Sequence, residues 1–106
     1  MAIARKCSKK IENSIESRIL VTHGTKTMVA TAKFLGMHIK NKTVVLTGSM
    51  VLPSEDEAKD ALASLSFALT QVRGLPVGVY IAMQGTTFRW DNVRKNAKKG
   101  RFEMER

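Results

Sequence analysis

The chain has few of the residues that stabilise small extracellular proteins. Its single cysteine, Cys7, cannot form a disulfide within the chain, and a lone thiol is typical of a reducing compartment, so we expect a cytoplasmic protein. No apolar run approaches the roughly 20 residues that a membrane-spanning helix needs. The opening residues MAIARKCSKK also lack the apolar segment of a secretory signal. We therefore expect no membrane partner.

The composition is that of one globular domain covering residues 1–106, with 43% hydrophobic and 25% charged residues. The net charge of +9 favours an anionic partner. A basic module that binds nucleic acid or another protein is therefore an alternative function. It is not the favoured one, because the cations are scattered and lack the interleaved aromatics that stack on bases.

Apolar periodicity alternates between helix and strand along the chain. The pattern predicts helices over residues 2–17, 28–39 and 54–73, the last with Ser54 as its N-cap. Continuous apolar runs predict buried strands at residues 18–22, 43–47 and 77–83. A polar loop around Trp90 and a basic tail follow. The expected fold class is three-layer α/β, with a small parallel sheet of three strands and flanking helices.

A sheet of this kind would be small, and the chain would begin with a helix that no strand precedes. We expect either that another chain completes the fold or that the chain is an N-terminally shortened version of a longer one. Strands at both edges would have unpaired backbone groups, and one helix face would remain apolar. A homo-oligomer that covers these surfaces is therefore expected.

Three segments rich in glycine and hydroxyl groups follow the three expected strands. They are residues 23–27 (HGTKT), 47–50 (TGSM) and 83–87 (MQGTT). Because ligands of open α/β sheets bind at the carboxyl ends of the strands, we expect these segments to converge. Hydroxyls and backbone N–H groups there would suit an amide or a carboxylate.

The segments VTHGTKTM, TVVLTGSM and GVYIAM together resemble the asparaginase/glutaminase family of threonine amidohydrolases, whose second signature is HGTDT. The order and spacing of the pieces match over residues 18–95. The closing residues 91–103 resemble the end of short, single-domain asparaginase-like proteins. The resemblance implies the fold of the N-terminal domain of asparaginases, a small amino-acid-like ligand, and neither a cofactor nor a metal.

The resemblance also implies roles for individual residues. The signature threonine of the family falls on Thr25, and the lysine of its threonine–lysine–aspartate relay falls on Lys95, so these two are the candidate catalytic residues. The candidate substrate-binding residues are Gly24, Thr25, Lys26, Gly48 and Ser49. His23 is expected to be a structural residue of the turn.

Two departures from the family pattern argue against catalysis. Lys26 stands where the family has the aspartate that binds the substrate's α-amino group, and a cation repels an ammonium group. Residues 1–17 contain no counterpart of the family's TGGTI-like segment, which bears the nucleophilic threonine. We therefore expect an asparaginase-like domain with impaired catalysis that binds a small acidic metabolite. Amide hydrolysis with Thr25 as nucleophile and Lys95 as base is a second possibility.

Overall fold

A computed structural model describes residues 2–48 and 55–105 of the chain. The helices in this part are α1 (Ala2–Asn13), α2 (Met28–His38) and α3 (Glu55–Gly74). The strands are β1 (Arg18–Thr22), β2 (Thr43–Thr47), β3 (Gly78–Met83), β4 (Thr86–Arg89), β5 (Arg94–Asn96) and β6 (Arg101–Glu103). In this part of the chain, no helix is long and apolar enough to cross a bilayer.

The main sheet has four strands in the order β1-β2-β3-β4. β1, β2 and β3 are parallel, as the alternation of helix and strand predicts, and they are connected by α2 and α3. β4 is antiparallel to β3, which makes the sheet mixed. Every residue of β2 is buried because the strand lies between two others and is covered on both faces.

Two apolar layers pack on opposite faces of this sheet, so the three-layer α/β prediction is confirmed. On one face, Val44 and Ile81 of the sheet pack with Ile11 of α1 and Leu35 of α2. On the other face α3 is the one described helix that packs, with a second set of core residues: Val45, Ala68, Val72, Tyr80 and Ala82. The site described below lies at the carboxyl ends of β1 and β2, between these two layers.

The first helix is shorter than predicted. α1 ends at Asn13, and Ile15, which the periodicity placed on its apolar face, is 98% exposed. The buried side chain of Lys42 explains this end, because its Nζ donates to the carbonyl oxygens of Ile11 at 2.6 Å and Ser14 at 2.5 Å. A cation here satisfies carbonyls that a longer helix would have bonded internally.

The expectation of a polar loop around Trp90 and a basic tail after the third strand is incomplete, because residues 86–103 also contain three short strands. Gln84 and Gly85, both with positive φ (53° and 75°), form a two-residue turn between β3 and β4. Such turns match the twist of an antiparallel pair. β5 and β6 then form a second hairpin, and Phe102 of β6 is buried in the main core. The predicted N-cap, Ser54, lies outside the described residues.

Trp90 follows β4 and packs against α2. A Cβ atom on Gly36 would overlap the indole ring of Trp90, so the ring lies directly against the helix backbone. Only glycine permits this close approach. The contact fixes the segment that leads from β4 to β5, and therefore where Lys95 lies.

Candidate functional site

The turn after β1 is held by hydrogen bonds from His23. Its backbone N–H donates to the carbonyl of Thr47 at 2.9 Å, which extends the pairing of β1 and β2 by one residue. Its Nδ1 lies 2.7 Å from the Gly24 carbonyl oxygen, so Nδ1 carries the proton and donates it. Nε2 then accepts from the hydroxyl of buried Thr31 in α2, at 3.0 Å. Both ring nitrogens are engaged, which gives His23 a structural role in the turn.

The loop after β2 approaches this turn closely. A Cβ on Gly48 would overlap the carbonyl oxygen of His23, so glycine is required by the contact between the two loops. The N–H of Gly48 donates to the sulfur of Met83 at 3.3 Å. The hydroxyl of Thr47 donates to the carbonyl of Ala82 at 2.8 Å. These bonds join the ends of β2 and β3.

An open cleft of about 620 Å³ lies at these strand ends. The ends of β1 and β2, the two loops that follow them, and two leucines of α3 line the cleft. The lining residues are Thr22, His23, Gly24, Thr47, Gly48, Leu62 and Leu65. The cleft combines hydroxyl groups and backbone with an apolar wall, which is a common composition for small-molecule sites.

The structure brings Thr25 and Lys95 together although 70 residues separate them in the sequence. The Nζ of Lys95 donates to the Oγ1 of Thr25 at 3.2 Å, and both residues are half-buried. Among the described residues, no carboxylate lies within ion-pair distance of Lys95. The ammonium group therefore faces a neutral hydroxyl.

Lys95 is held in place by the β5–β6 hairpin. It pairs with Phe102 across the strands, and Phe102 is buried in the core. One residue before it, Arg94 forms an ion pair with Glu103 at 2.6 Å. The hydrogen bond from Arg94 is the main cause that holds the pKa of the Glu103 carboxyl below its usual value, and a bond from Asn96 contributes in the same direction. Glu103 is thus engaged by Arg94 and Asn96.

The other candidate residues are placed differently. Gly24 lines the cleft, and the Lys26 side chain is exposed on the turn. Gly48 lies at the loop contact described above. Ser49 lies outside the described residues. Among the residues that the structure describes, no group of three His, Cys, Asp or Glu side chains could hold a metal ion.

The third loop expected at the site has another role. Its residues 84–85 form the β3–β4 turn, and Thr87 donates from its hydroxyl to Oε1 of Gln71 in α3 at 2.9 Å. No residue of this loop lines the cleft. Of this segment, Met83 alone reaches the second loop, through its sulfur, because β3 then turns into an adjacent antiparallel strand instead of a crossover helix.

The residues alone did not predict the partners that orient the site. The bond between His23 and Thr31 crosses from the turn to the first part of α2, eight residues later. No sequence motif corresponds to a spacing of eight residues between a histidine and a threonine. The contact between Asn96 and Glu103 could have been predicted from the sequence. The polar segment that ends in Lys99-Gly100, followed by Arg101-Phe102-Glu103, is typical of a hairpin, and a hairpin places these two residues on neighbouring strands.

Comparison with known proteins matches residues 1–104 to the family model described as "Asparaginase, N-terminal". The chain is 46% identical over 67 residues to an L-asparaginase of Thermococcus kodakarensis, which is 60% of this chain and 20% of that protein. The aligned segment thus spans only a fifth of that relative's length.

Solved structures give the same result. The thermostable L-asparaginase from Thermococcus kodakarensis superposes with a TM-score of 0.73 at 30% identity, over 97% of this chain and 32% of that one. L-asparaginase I from Vibrio cholerae gives a TM-score of 0.64 at 25% identity, over 90% of this chain and 29% of that one.

Proposed function

The chain belongs to the asparaginase family, and from this premise we propose that it is a catalytically impaired family domain that binds a small acidic metabolite. The observation that carries the proposal is the half-buried ammonium of Lys95, which donates to the Thr25 hydroxyl at 3.2 Å and has no carboxylate partner among the described residues. An ammonium beside a hydroxyl suits a carboxylate or phosphate oxygen.

Lys26 supports the choice of an anion over a zwitterion. It stands on the same turn as Thr25, at the position where the family motif has aspartate. A carboxylate there would attract an amino group, whereas a cation repels it and attracts a second acid group. The resulting ligand class is a small molecule with one or two carboxylates or a phosphate.

Impaired catalysis follows from the same substitution. Thr25 and Lys95 retain a threonine–lysine pair, but Lys26 cannot supply the acid of the relay, and residues 1–17 contain no TGGTI-like segment. Because members of a catalytic relay act as a unit, the loss of one removes most of the rate. We therefore expect no release of ammonia from asparagine or glutamine. Release that Thr25→Ala abolishes would instead support hydrolysis with Thr25 as nucleophile.

The binding proposal is tested by calorimetry with L-aspartate, phosphate, L-asparagine and L-glutamine. We expect aspartate and phosphate to bind more tightly than the two amides. Lys95→Gln should weaken aspartate binding about tenfold, which corresponds to about 1.4 kcal/mol. Lys98→Gln, which removes the same charge from an exposed position of the hairpin loop, is the matched control and should bind as the parent does.

A reversal of preference gives the sharpest version of this test. Lys26→Asp restores the family residue, and it should lower affinity for aspartate while raising that for asparagine. Tighter binding of asparagine than of aspartate by the unmodified chain would contradict the proposal.

A further inference from the structure

The cleft at the carboxyl ends of β1 and β2 has polar groups that already bond within the chain. Both ring nitrogens of His23 are engaged, one with the Gly24 carbonyl and the other with the Thr31 hydroxyl. The Thr47 hydroxyl and the Gly48 N–H both donate to atoms at the end of β3. None of the described lining residues is Lys, Arg, Asp or Glu. A charged group of a ligand would therefore find no counter-ion inside the cleft.

Two leucines of α3 make one side of this cleft apolar. Leu62 is 65% exposed and Leu65 is 38% exposed, and neither belongs to the core layers of the described residues. Packing within the described chain therefore does not explain their position at the cleft. Apolar side chains at a concave site bind an apolar group favourably, because both are then removed from water.

The cleft lies beside the Thr25–Lys95 pair. Gly24 lines the cleft, and Thr25, which accepts the hydrogen bond from Lys95, is the next residue of the turn. Consecutive Cα atoms are only ~3.8 Å apart. A Cβ atom on Gly24 would meet nothing within 4 Å in the described part of the chain, so the space beside the turn is open. A ligand whose acid group binds at Lys95 can therefore extend past Gly24 into the cleft.

We propose that the cleft holds an apolar chain of the ligand, which is a carboxylic acid with its acid group at Lys95 and a hydrocarbon group against Leu62 and Leu65. The hydrocarbon group would cover the sides of the two leucines that face the strand ends. This inference rests on the proposed function, because it takes the Lys95 ammonium as the site of the acid group. A second acid group would favour the exposed Lys26 over the cleft, where it would lose its water without a counter-ion.

The test is an NMR titration with acetate, butanoate, hexanoate and succinate that follows the methyl signals of the leucines. Burial of one methylene strengthens binding about fourfold, so half-burial of two gives about the same factor. Hexanoate should therefore bind about fourfold more tightly than butanoate. It should shift the methyl signals of Leu62 and Leu65 but not those of Leu69, which does not line the cleft. Equal binding of acetate and hexanoate would overturn the inference.

Two matched variants of α3 test the role of the leucines. Leu65→Gln makes the cleft polar at an exposed helix position, so it should weaken hexanoate binding about fivefold and leave acetate and succinate within about twofold of the parent. Leu69→Gln makes the same change one turn further along the helix, outside the cleft, and should bind hexanoate as the parent does. An equal loss in both variants would contradict the inference, because the α3 surface as a whole would then be responsible.

Lys95→Gln separates this inference from the proposed function. It should weaken all four acids by a similar factor and leave the ratio of hexanoate to acetate affinity unchanged. If succinate binds and chain length has no effect, the proposed function stands and this inference fails. If no acid binds, or if Lys95→Gln changes no affinity, both fail. Hexanol has the chain without the charge, and binding as tight as that of hexanoate would show that the acid group does not contact Lys95.

Discussion

Lys42 shows how one side chain can decide where an element ends. Its ammonium is buried against the last turn of α1 and bonds two carbonyls there, one of them at Ser14, beyond the helix. Gly36 acts through the absence of a side chain, since it allows the Trp90 indole to lie on α2. Both residues join segments distant in sequence, and each leads to a stability prediction.

Lys42→Met should lower the free energy of unfolding by about 2 kcal/mol, since it leaves carbonyl oxygens at the end of α1 without a donor. Urea unfolding followed by circular dichroism measures the change. Lys40→Met is the control, because Lys40 is exposed and bonds the Gly36 carbonyl from the surface. The control should change stability by less than about 0.5 kcal/mol. Equal effects of the two variants would contradict the capping role.

Gly36→Ala should cost about 1–3 kcal/mol, because the new methyl group displaces the Trp90 ring from the helix. Trp90 is the one tryptophan of the chain, so its fluorescence should also shift to longer wavelength in the folded variant. Gly74→Ala is the matched control, since nothing lies within 4 Å of a Cβ there. A Gly36→Ala chain with parental stability and emission would show that the ring does not lie on Gly36.

At the scale of elements, the apolar strands are the part that the sequence predicts best. The predicted first and second strands match β1 and β2 residue for residue, because runs such as Thr43-Val44-Val45-Leu46-Thr47 allow little besides a buried strand. β5 and β6 were missed since each has three residues and is mostly polar. These two strands are held in place by Phe102 and Val93, which pack in the core, and by the Arg94–Glu103 ion pair. A local sequence pattern does not reveal these contacts.

The candidate site was predicted by resemblance more than by residue chemistry. The glycines and hydroxyls of the first two loops indicated a ligand site, and the loops do meet at Gly48. Without the family pattern, however, Lys95 would be interpreted as a surface cation. Its contact with Thr25 depends on the packing of Phe102 in the core and of Trp90 against Gly36, and both of these contacts are long-range.

The β5–β6 hairpin should lose stability in acid. The pKa of Glu103 is lowered in the folded chain, so its contribution is present above the unfolded value near 4.5 and is lost as pH falls through the lower folded value. Glu103→Gln should therefore flatten the decline of the melting temperature in that window. Thermal unfolding between pH 6 and about pH 3 measures this.

Glu105→Gln serves as the control for this acid effect. It removes the same charge from a half-exposed carboxylate whose contact with Lys33 is 3.9 Å long. The melting temperature of this variant should fall with acid as steeply as that of the parent. A parental slope in Glu103→Gln would show that the Arg94 bond does not govern the acid sensitivity.

At the scale of the whole molecule, one apolar surface lies on the exposed side of α3. Leu62, Leu65 and Leu69 lie three to four residues apart on α3, and each is more than a third exposed. Large exposed side chains at helical spacing on one face are typical of an interface. This surface adjoins the cleft, since Leu62 and Leu65 form its wall. We propose that a homodimer buries these leucines.

Sedimentation velocity over a wide range of concentrations tests this dimer. The parent should shift to the mass of two chains as concentration rises, and Leu62→Lys with Leu69→Lys should remain a monomer because buried ammonium groups would oppose association. Val77→Lys adds a cation at another exposed apolar position, before β3, and should dimerise as the parent does. If the parent stays monomeric at every concentration, the leucines have a different partner. If Val77→Lys is also monomeric, net charge rather than the α3 surface controls association.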